Sequence, residues 1–302
     1  MRGVVAGLCA ALAIALVVAG AANTARRATP SLAVYRGLGT WVDLYDPKAF
    51  KSPGAVITSM KQRGTRTLYL ETANYHTAGD VGRSKGVGRF IDLAHAAGIK
   101  VVAWYLPGLD SPSRDLRRSL AAIRFRSPTG QRFDSFSLDI EASIVRRVAL
   151  RNTRLLNLSA AIRKAVGPTY ALGAIIPSPR GMQLNAAYWP GFPYAQLANV
   201  YDVFLPMGYF TFHTRTARGA FDFTIRNVTI VRRSTGDPSV PIHMIGGVSD
   251  AASTAQVRSF VQAARACGVM GASMYDFTTT TAPQWSTLTP ISRAPAPTRA
   301  CA

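Results

Sequence analysis

Residues 133–141 read Phe-Asp-Ser-Phe-Ser-Leu-Asp-Ile-Glu, an alternating run that ends in two carboxylates two positions apart. A strand turns residues i and i+2 to the same side, so Ser137, Asp139 and Glu141 share one face and Phe136, Leu138 and Ile140 the other. Two acids side by side at the end of a buried strand repel, and one then holds its proton near neutral pH. A general acid requires that state. Glutamate is otherwise rare: Glu71 and Glu141 are the only two in 302 residues, and both end a predicted strand.

The elements that must position these acids follow from the hydropathy pattern. Strand-like runs occur at 35–42, 67–71, 100–105, 135–141, 170–176, 203–209, 242–246 and 271–276. Helix-periodic segments lie between most of them, at 53–63, 88–97, 113–124, 152–166, 194–200, 223–233 and 253–267. A strand followed by a 3.6-period segment, repeated, indicates βα units and a parallel sheet. Gly64, Gly98, Gly167, Gly236 and Gly268 each follow a helical pattern, as a C-terminal cap would. Eight such units in about 250 residues predict the α/β class and a (β/α)8 (TIM) barrel, with a doubly wound open sheet as the competing topology.

In a barrel of this type the active site lies at the C-terminal ends of the strands. Strand-end residues are therefore the candidates. They are Trp41 and Asp43 on strand one, Glu71, Asn74 and Tyr75 on strand two, and Trp104, Tyr105 and Asp110 on strand three. Asp139 and Glu141 end strand four, Met207 and Tyr209 strand six, and Tyr275 and Asp276 strand eight. Aromatic faces stack on sugar rings and paired carboxylates break glycosidic bonds, so the combination points to a carbohydrate. The predicted catalytic pair is Glu141 with Asp139. Tyr209, Glu71, Trp104, Tyr105, Asp43, Met207, Tyr275 and Asp276 are the predicted substrate contacts. The structural alternatives are a salt bridge for Glu71, helix caps or loop anchors for Asp43 and Asp276, and plain barrel packing for the aromatic rings.

The strand-four and strand-six residues resemble the glycoside hydrolase family 18 (chitinase-like) pattern, within the wider superfamily of glycosidase barrels. That family carries D-G-x-D-x-D-x-E on strand four, and the same spacing here holds Asp134, Ser135, Ser137, Asp139 and Glu141. Its strand six carries M-x-Y-D, where this chain has Met207, Gly208, Tyr209 and Phe210. The resemblance implies that Glu141 protonates the leaving oxygen and that Asp139 orients an acetamido group acting as internal nucleophile. It also implies a Tyr209 hydrogen bond to the acetamido carbonyl. The chain departs from the pattern at Ser135, Ser137 and Phe210, and it has Tyr275 where the family places a tryptophan. A non-catalytic carbohydrate- or envelope-binding barrel is the alternative that these departures motivate.

Other chemistries lack their signatures. His76, His95, His213 and His243 show no metal-ligand spacing, and no G-x-S-x-G elbow or dinucleotide fingerprint is present. The expected reaction needs no cofactor and no metal. The chain carries 35 Lys and Arg against 15 Asp and Glu, a formal charge of +20. Such a surface favours an anionic partner, for an exported chain an anionic cell envelope or acidic polysaccharide, with an ordinary solvated basic surface as the alternative; the expected partner at the site is a polysaccharide or other glycan. The arginines are dispersed without a nucleic-acid motif, so nucleic acid is not expected. A monomer is expected.

Arg2, an apolar run from Gly3 to Gly20 and the small residues that follow describe a secretory signal over residues 1–25. An uncleaved membrane anchor is the open alternative, although Arg26 and Arg27 beyond the run oppose it. Either way the domain is expected outside the cytoplasm, secreted or anchored. Residues 26–31 form a linker, 32–290 the barrel, and 291–302 a disordered Pro/Ala/Thr tail. Cys267 and Cys301 are candidates for one disulfide, with two free thiols as the alternative.

Overall fold

A computed structural model describes residues 30–292 and Cys301. The predicted signal segment, residues 26–29 of the predicted linker, and residues 293–300 and 302 of the predicted tail lie outside the described residues. Eight strands alternate with helices: β1 Gly37–Val42, β2 Thr67–Asn74, β3 Lys100–Leu106, β4 Ser135–Asp139, β5 Leu172–Ile176, β6 Val203–Pro206, β7 His243–Val248 and β8 Gly271–Tyr275. The helices are α1 Pro47–Lys51, α2 Pro53–Gln62, α3 Ser84–Ala96, α4 Pro112–Arg124 and α5 Val148–Val166, then α6 Pro179–Leu184, α7 Tyr194–Ala198, α8 Ala217–Thr235, α9 Thr254–Ala266 and α10 Ala282–Ser292.

Every strand pair is parallel, in the order β6-β5-β4-β3-β2-β1-β8-β7. The β1–β8 pairing and the bridges Phe204–Ile242 and Met207–Ile245 bring the two edges together into a nearly closed (β/α)8 barrel. An open doubly wound sheet would leave those edges apart.

Strand alternation sorts the side chains into two cores. Leu68, Leu70, Ala103, Tyr105, Phe136, Leu138, Phe204 and Met244 face the helices. Tyr35, Trp41, Tyr69, Val102, Trp104, Ile175, Leu205 and Ile245 fill the barrel. The lower interior is polar and well bonded. The Tyr35 hydroxyl meets Ser135 Oγ at 2.7 Å and Ser137 Oγ at 3.2 Å. His243 sits between the Tyr35 carbonyl (2.9 Å) and Ser273 Oγ (3.1 Å), and Trp41 Nε1 donates to Ser273 Oγ at 2.8 Å. Gly173 leaves the room that this cluster needs, because a Cβ there would stand 2.8 Å from the Tyr35 hydroxyl.

Three boundaries differ from the sequence expectation. β4 ends at Asp139, with the Ile140 N–H donating to the Ile175 carbonyl one step further. β6 ends at Pro206, so Met207 and Tyr209 belong to the loop after it. Helix α10 was not foreseen; it runs through Ser292, packs on α9 and β1, and Ser292 Oγ donates to the Gly64 carbonyl. Cys267 and Cys301 form a disulfide with their Cα atoms 4.8 Å apart.

Candidate active site

The strands are all parallel, so their C-terminal ends form one rim, and five carboxylates meet there. Asp43 follows β1, Glu71 lies on the inward face of β2, Asp139 ends β4, Glu141 follows it, and Asp276 follows β8. Asp139 is inward by the same alternation that turns Ser135 and Ser137 onto Tyr35. It is 5% exposed, and its Oδ1 has no hydrogen-bond partner among the described residues. Burial pushes its carboxyl well above the ordinary aspartate range, and the Glu141 and Glu71 charges push the same way. Burial likewise raises Glu141.

Glu71 is 2% exposed and is held by two donors, the Leu44 N–H at 2.9 Å and Asn74 Nδ2 at 2.9 Å. Burial raises its carboxyl; these donors oppose the rise, while Asp43 and Glu141 add to it. Asn74 Nδ2 also reaches the Tyr45 hydroxyl at 2.9 Å, which links the loops after β1 and β2. The register slips between Glu71 and Ala73, and this irregularity extends β2 as far as Asn74.

Tyr209 takes a left-handed backbone conformation (φ +44°) at the turn after β6. Its ring packs edge-on to Tyr275 at 6.3 Å and Phe212 at 5.7 Å. Its hydroxyl is raised first by burial and then by Glu141, Asp139, Asp276 and Asp43, so it lies among the acids. The Tyr275 hydroxyl donates to Asp43 Oδ2 at 2.6 Å, and Asp43 Oδ1 accepts from the Tyr45 N–H at 2.7 Å. Asp276 accepts from the Thr279 N–H and hydroxyl, both at 2.9 Å, and burial raises its carboxyl above the usual range. Asp43 and Asp276 thus anchor loops and also face the rim. Trp104 and Met207 line the inner core, and Trp104 Nε1 is buried without a partner among the described residues.

Tyr105 is a correction. It follows Trp104 on the strand, so it points the opposite way, outward under α4. It is fully buried there, with its hydroxyl 2.6 Å from Asp115 Oδ1. No substrate at the rim reaches it.

The sequence reading missed three rim residues. Tyr45 and Phe212 are each 68% exposed, one in the loop after β1 and the other in the loop after β6. Tyr188 donates its hydroxyl to the Glu141 carbonyl and fixes the acid's main chain. Position just after a predicted strand was the available signal for the first two; none marked Tyr188.

With this geometry in place, solved structures offer a comparison. An endo-β-1,4-mannanase from Thermotoga petrophila superposes with a TM-score of 0.64 at 11% identity, over 86% of this chain and 77% of that one. A chitinase from Bacteroides thetaiotaomicron gives 0.62 at 11% identity, over 86% and 96%. An endo-1,4-β-mannanase from Rhizomucor miehei gives 0.64 at 12% identity, over 86% and 94%. The chain shares its (β/α)8 fold with these glycoside hydrolases. Mannanases and chitinases match alike, so the likeness spans glycosidase barrels without singling out the chitinase-like family. No family model matches the sequence, and no curated protein matches it.

Proposed function

We propose that this chain is a secreted glycoside hydrolase-like barrel that cleaves O-glycosidic bonds of a cell-wall or environmental polysaccharide. Glu141 is the general acid and Asp139 its partner. The observation that carries this reading is the meeting of Asp139, Glu141 and Glu71 at one rim, where burial and mutual repulsion favour a bound proton. A protonated Glu141 gives its proton to the bridging oxygen as the C–O bond breaks, and the remaining carboxylates stabilise the positive charge that develops on the sugar. A water then adds to the anomeric carbon and returns a proton to a carboxylate. Tyr209 sits among these acids as a hydroxyl contact for the sugar. Tyr45 and Phe212 offer exposed rings in the loops after β1 and β6.

A release assay over a panel of glycans tests this, with Glu141→Gln alongside. Sugar release by the wild type and none by the variant is expected; equal release by both refutes the assignment. The second reading, a barrel that binds glycans without cleaving them, draws support from Ser137. It bonds to Tyr35 and gives Asp139 no acidic or hydrogen-bonding neighbour below. Glycan binding by the wild type without multiple turnovers would select it.

Export is part of the proposal. A disulfide between Cys267 and Cys301 fits an oxidising compartment. Among the described residues no helix is long and apolar enough to cross a membrane. Mass measurement of the mature chain from the medium and from membranes distinguishes cleavage near residue 25 from retention as an anchor.

A further inference from the structure

We propose that the glycan taken at this rim carries free amino groups, bound as ammonium ions by the carboxylates of Asp43, Glu71, Asp139 and Asp276 beside the Glu141 acid. The inference rests on the glycosidase-like reading above and names the substrate class of that same site.

The distribution of charge is the first argument. The chain has 15 acids against 35 Lys and Arg, yet five of the 15, including both glutamates, gather at one rim. Away from the rim the acids are commonly paired. Asp80, Asp110, Asp115, Asp134, Asp202 and Asp222 each meet an arginine or lysine. None of the five rim acids is in an ion pair among the described residues. The arginines around them point at main-chain carbonyls instead. Arg83 donates to Leu44 (2.7 Å), Arg118 to Asn74 (2.5 Å), Arg151 to Tyr188 (2.9 Å) and Arg154 to Leu109 (2.9 Å). The rim is thus a negative focus on a strongly positive molecule.

Asp139 supplies the second argument. Its Oδ1 is buried, faces inward and has no donor among the described residues. A buried unpaired carboxylate oxygen is costly, and a ligand donor relieves it. A sugar hydroxyl gives one hydrogen bond and leaves the repulsion between the acids in place. An ammonium gives three and cancels charge. A compact metal ion fits less well, because among the described residues no three His, Cys, Asp or Glu side chains cluster closely enough to hold one. The carboxylates are spread over the ends of β1, β2, β4 and β8, which accommodates a chain of amino sugars. Burial raises Glu71, Asp139 and Asp276, and a proton held there must leave when a cation arrives, so binding and proton release are linked.

The test is calorimetric titration of the full chain carrying Glu141→Gln. The ligands are fully deacetylated oligomers of glucosamine or galactosamine, their N-acetylated counterparts, and mannose oligomers of equal length. Titrations at about pH 5.5, where the amino groups are already ammonium, in two buffers of different ionisation enthalpy count the protons released. Amino oligomers are expected to bind at least tenfold tighter than the others and to release protons. Asp139→Asn added to this chain should abolish most of that preference, while Asp222→Asn, at an exposed ion pair, should not. The +20 chain repels polycations in general, so such a preference reports on the rim. Equal or tighter binding of acetylated or neutral oligomers, or binding without proton release, overturns the inference. If the wild type cleaves acetylated or neutral glycans only, the hydrolase reading stands and this inference falls. If amino oligomers bind preferentially and are never cleaved, the inference stands and the hydrolase reading falls.

Discussion

At the lower end of the barrel, Tyr35, Ser135, Ser137, His243, Ser273 and Trp41 are inward polar side chains that bond one another. At the upper end, Asp139 Oδ1 and Trp104 Nε1 are equally buried and have no partner among the described residues. The two ends share strands, alternation and burial; at the lower end most polar groups bond one another and the Tyr69 hydroxyl is the exception beside that cluster, whereas at the upper end a carboxylate oxygen is left unpartnered among the described residues. A satisfied buried network rigidifies a core, whereas an unsatisfied one costs stability unless a ligand completes it. The lower end therefore reads as structure and the upper end as a site.

Substitutions should separate the two ends, and the largest effect is expected at the top. Glu141→Gln should lower glycan turnover by about 10²–10⁴-fold, the usual worth of a positioned acid, while the melting temperature stays within a few degrees. A large loss of stability instead would make Glu141 part of the scaffold and break the comparison. At the bottom the order reverses. Cys267→Ser opens a loop with a sequence separation of 34 and should cost about 3–4 kcal/mol in denaturant titration. Turnover per folded molecule should be unchanged.

The ends should also answer pH in opposite directions. Burial lowers His243 from 6.5 to about 4, so the unfolded chain binds a proton that the native one refuses. Stability from this group is intact above pH 6.5 and falls by about 3 kcal/mol as pH drops through that window. Asp139 is raised in the native state, so the native chain holds a proton that the unfolded one has lost. Its penalty grows as pH rises above the unfolded value of about 3.9. Asp139→Asn should flatten the upper limb of a plot of melting temperature against pH and raise stability at pH 7. A fall in stability at pH 7 would mean that the carboxylate is structurally bonded. The smallest effects belong to the exposed rings. Tyr45→Ala or Phe212→Ala should raise KM about twofold to tenfold on long oligomers and leave kcat nearly unchanged.

Much of this arrangement was legible in the sequence because period-2 alternation and strand-end position are local properties. Alternation placed Asp139 and Glu141 together, and the βα rhythm fixed the closed barrel. Tyr105 was misassigned by reading both members of Trp104-Tyr105 as inward, which alternation itself forbids. Helix α10 was missed because its sequence, with Pro290 inside, has almost no amphipathic period; contacts with α9 and β1 make it. The bond from Tyr188 to the Glu141 carbonyl joins residues 47 positions apart and has no sequence signature.

The disulfide fixes more than stability. Cys301 is tied to the residue that closes α9, just before β8 begins, and the chain around Ala33–Tyr35 enters β1 at that same end. Both ends of the described chain therefore emerge on the underside of the barrel. A tether attached at either one, whether to a bead, a lipid or a wall polymer, would leave the acidic mouth facing away from the support and open to long strands arriving from outside.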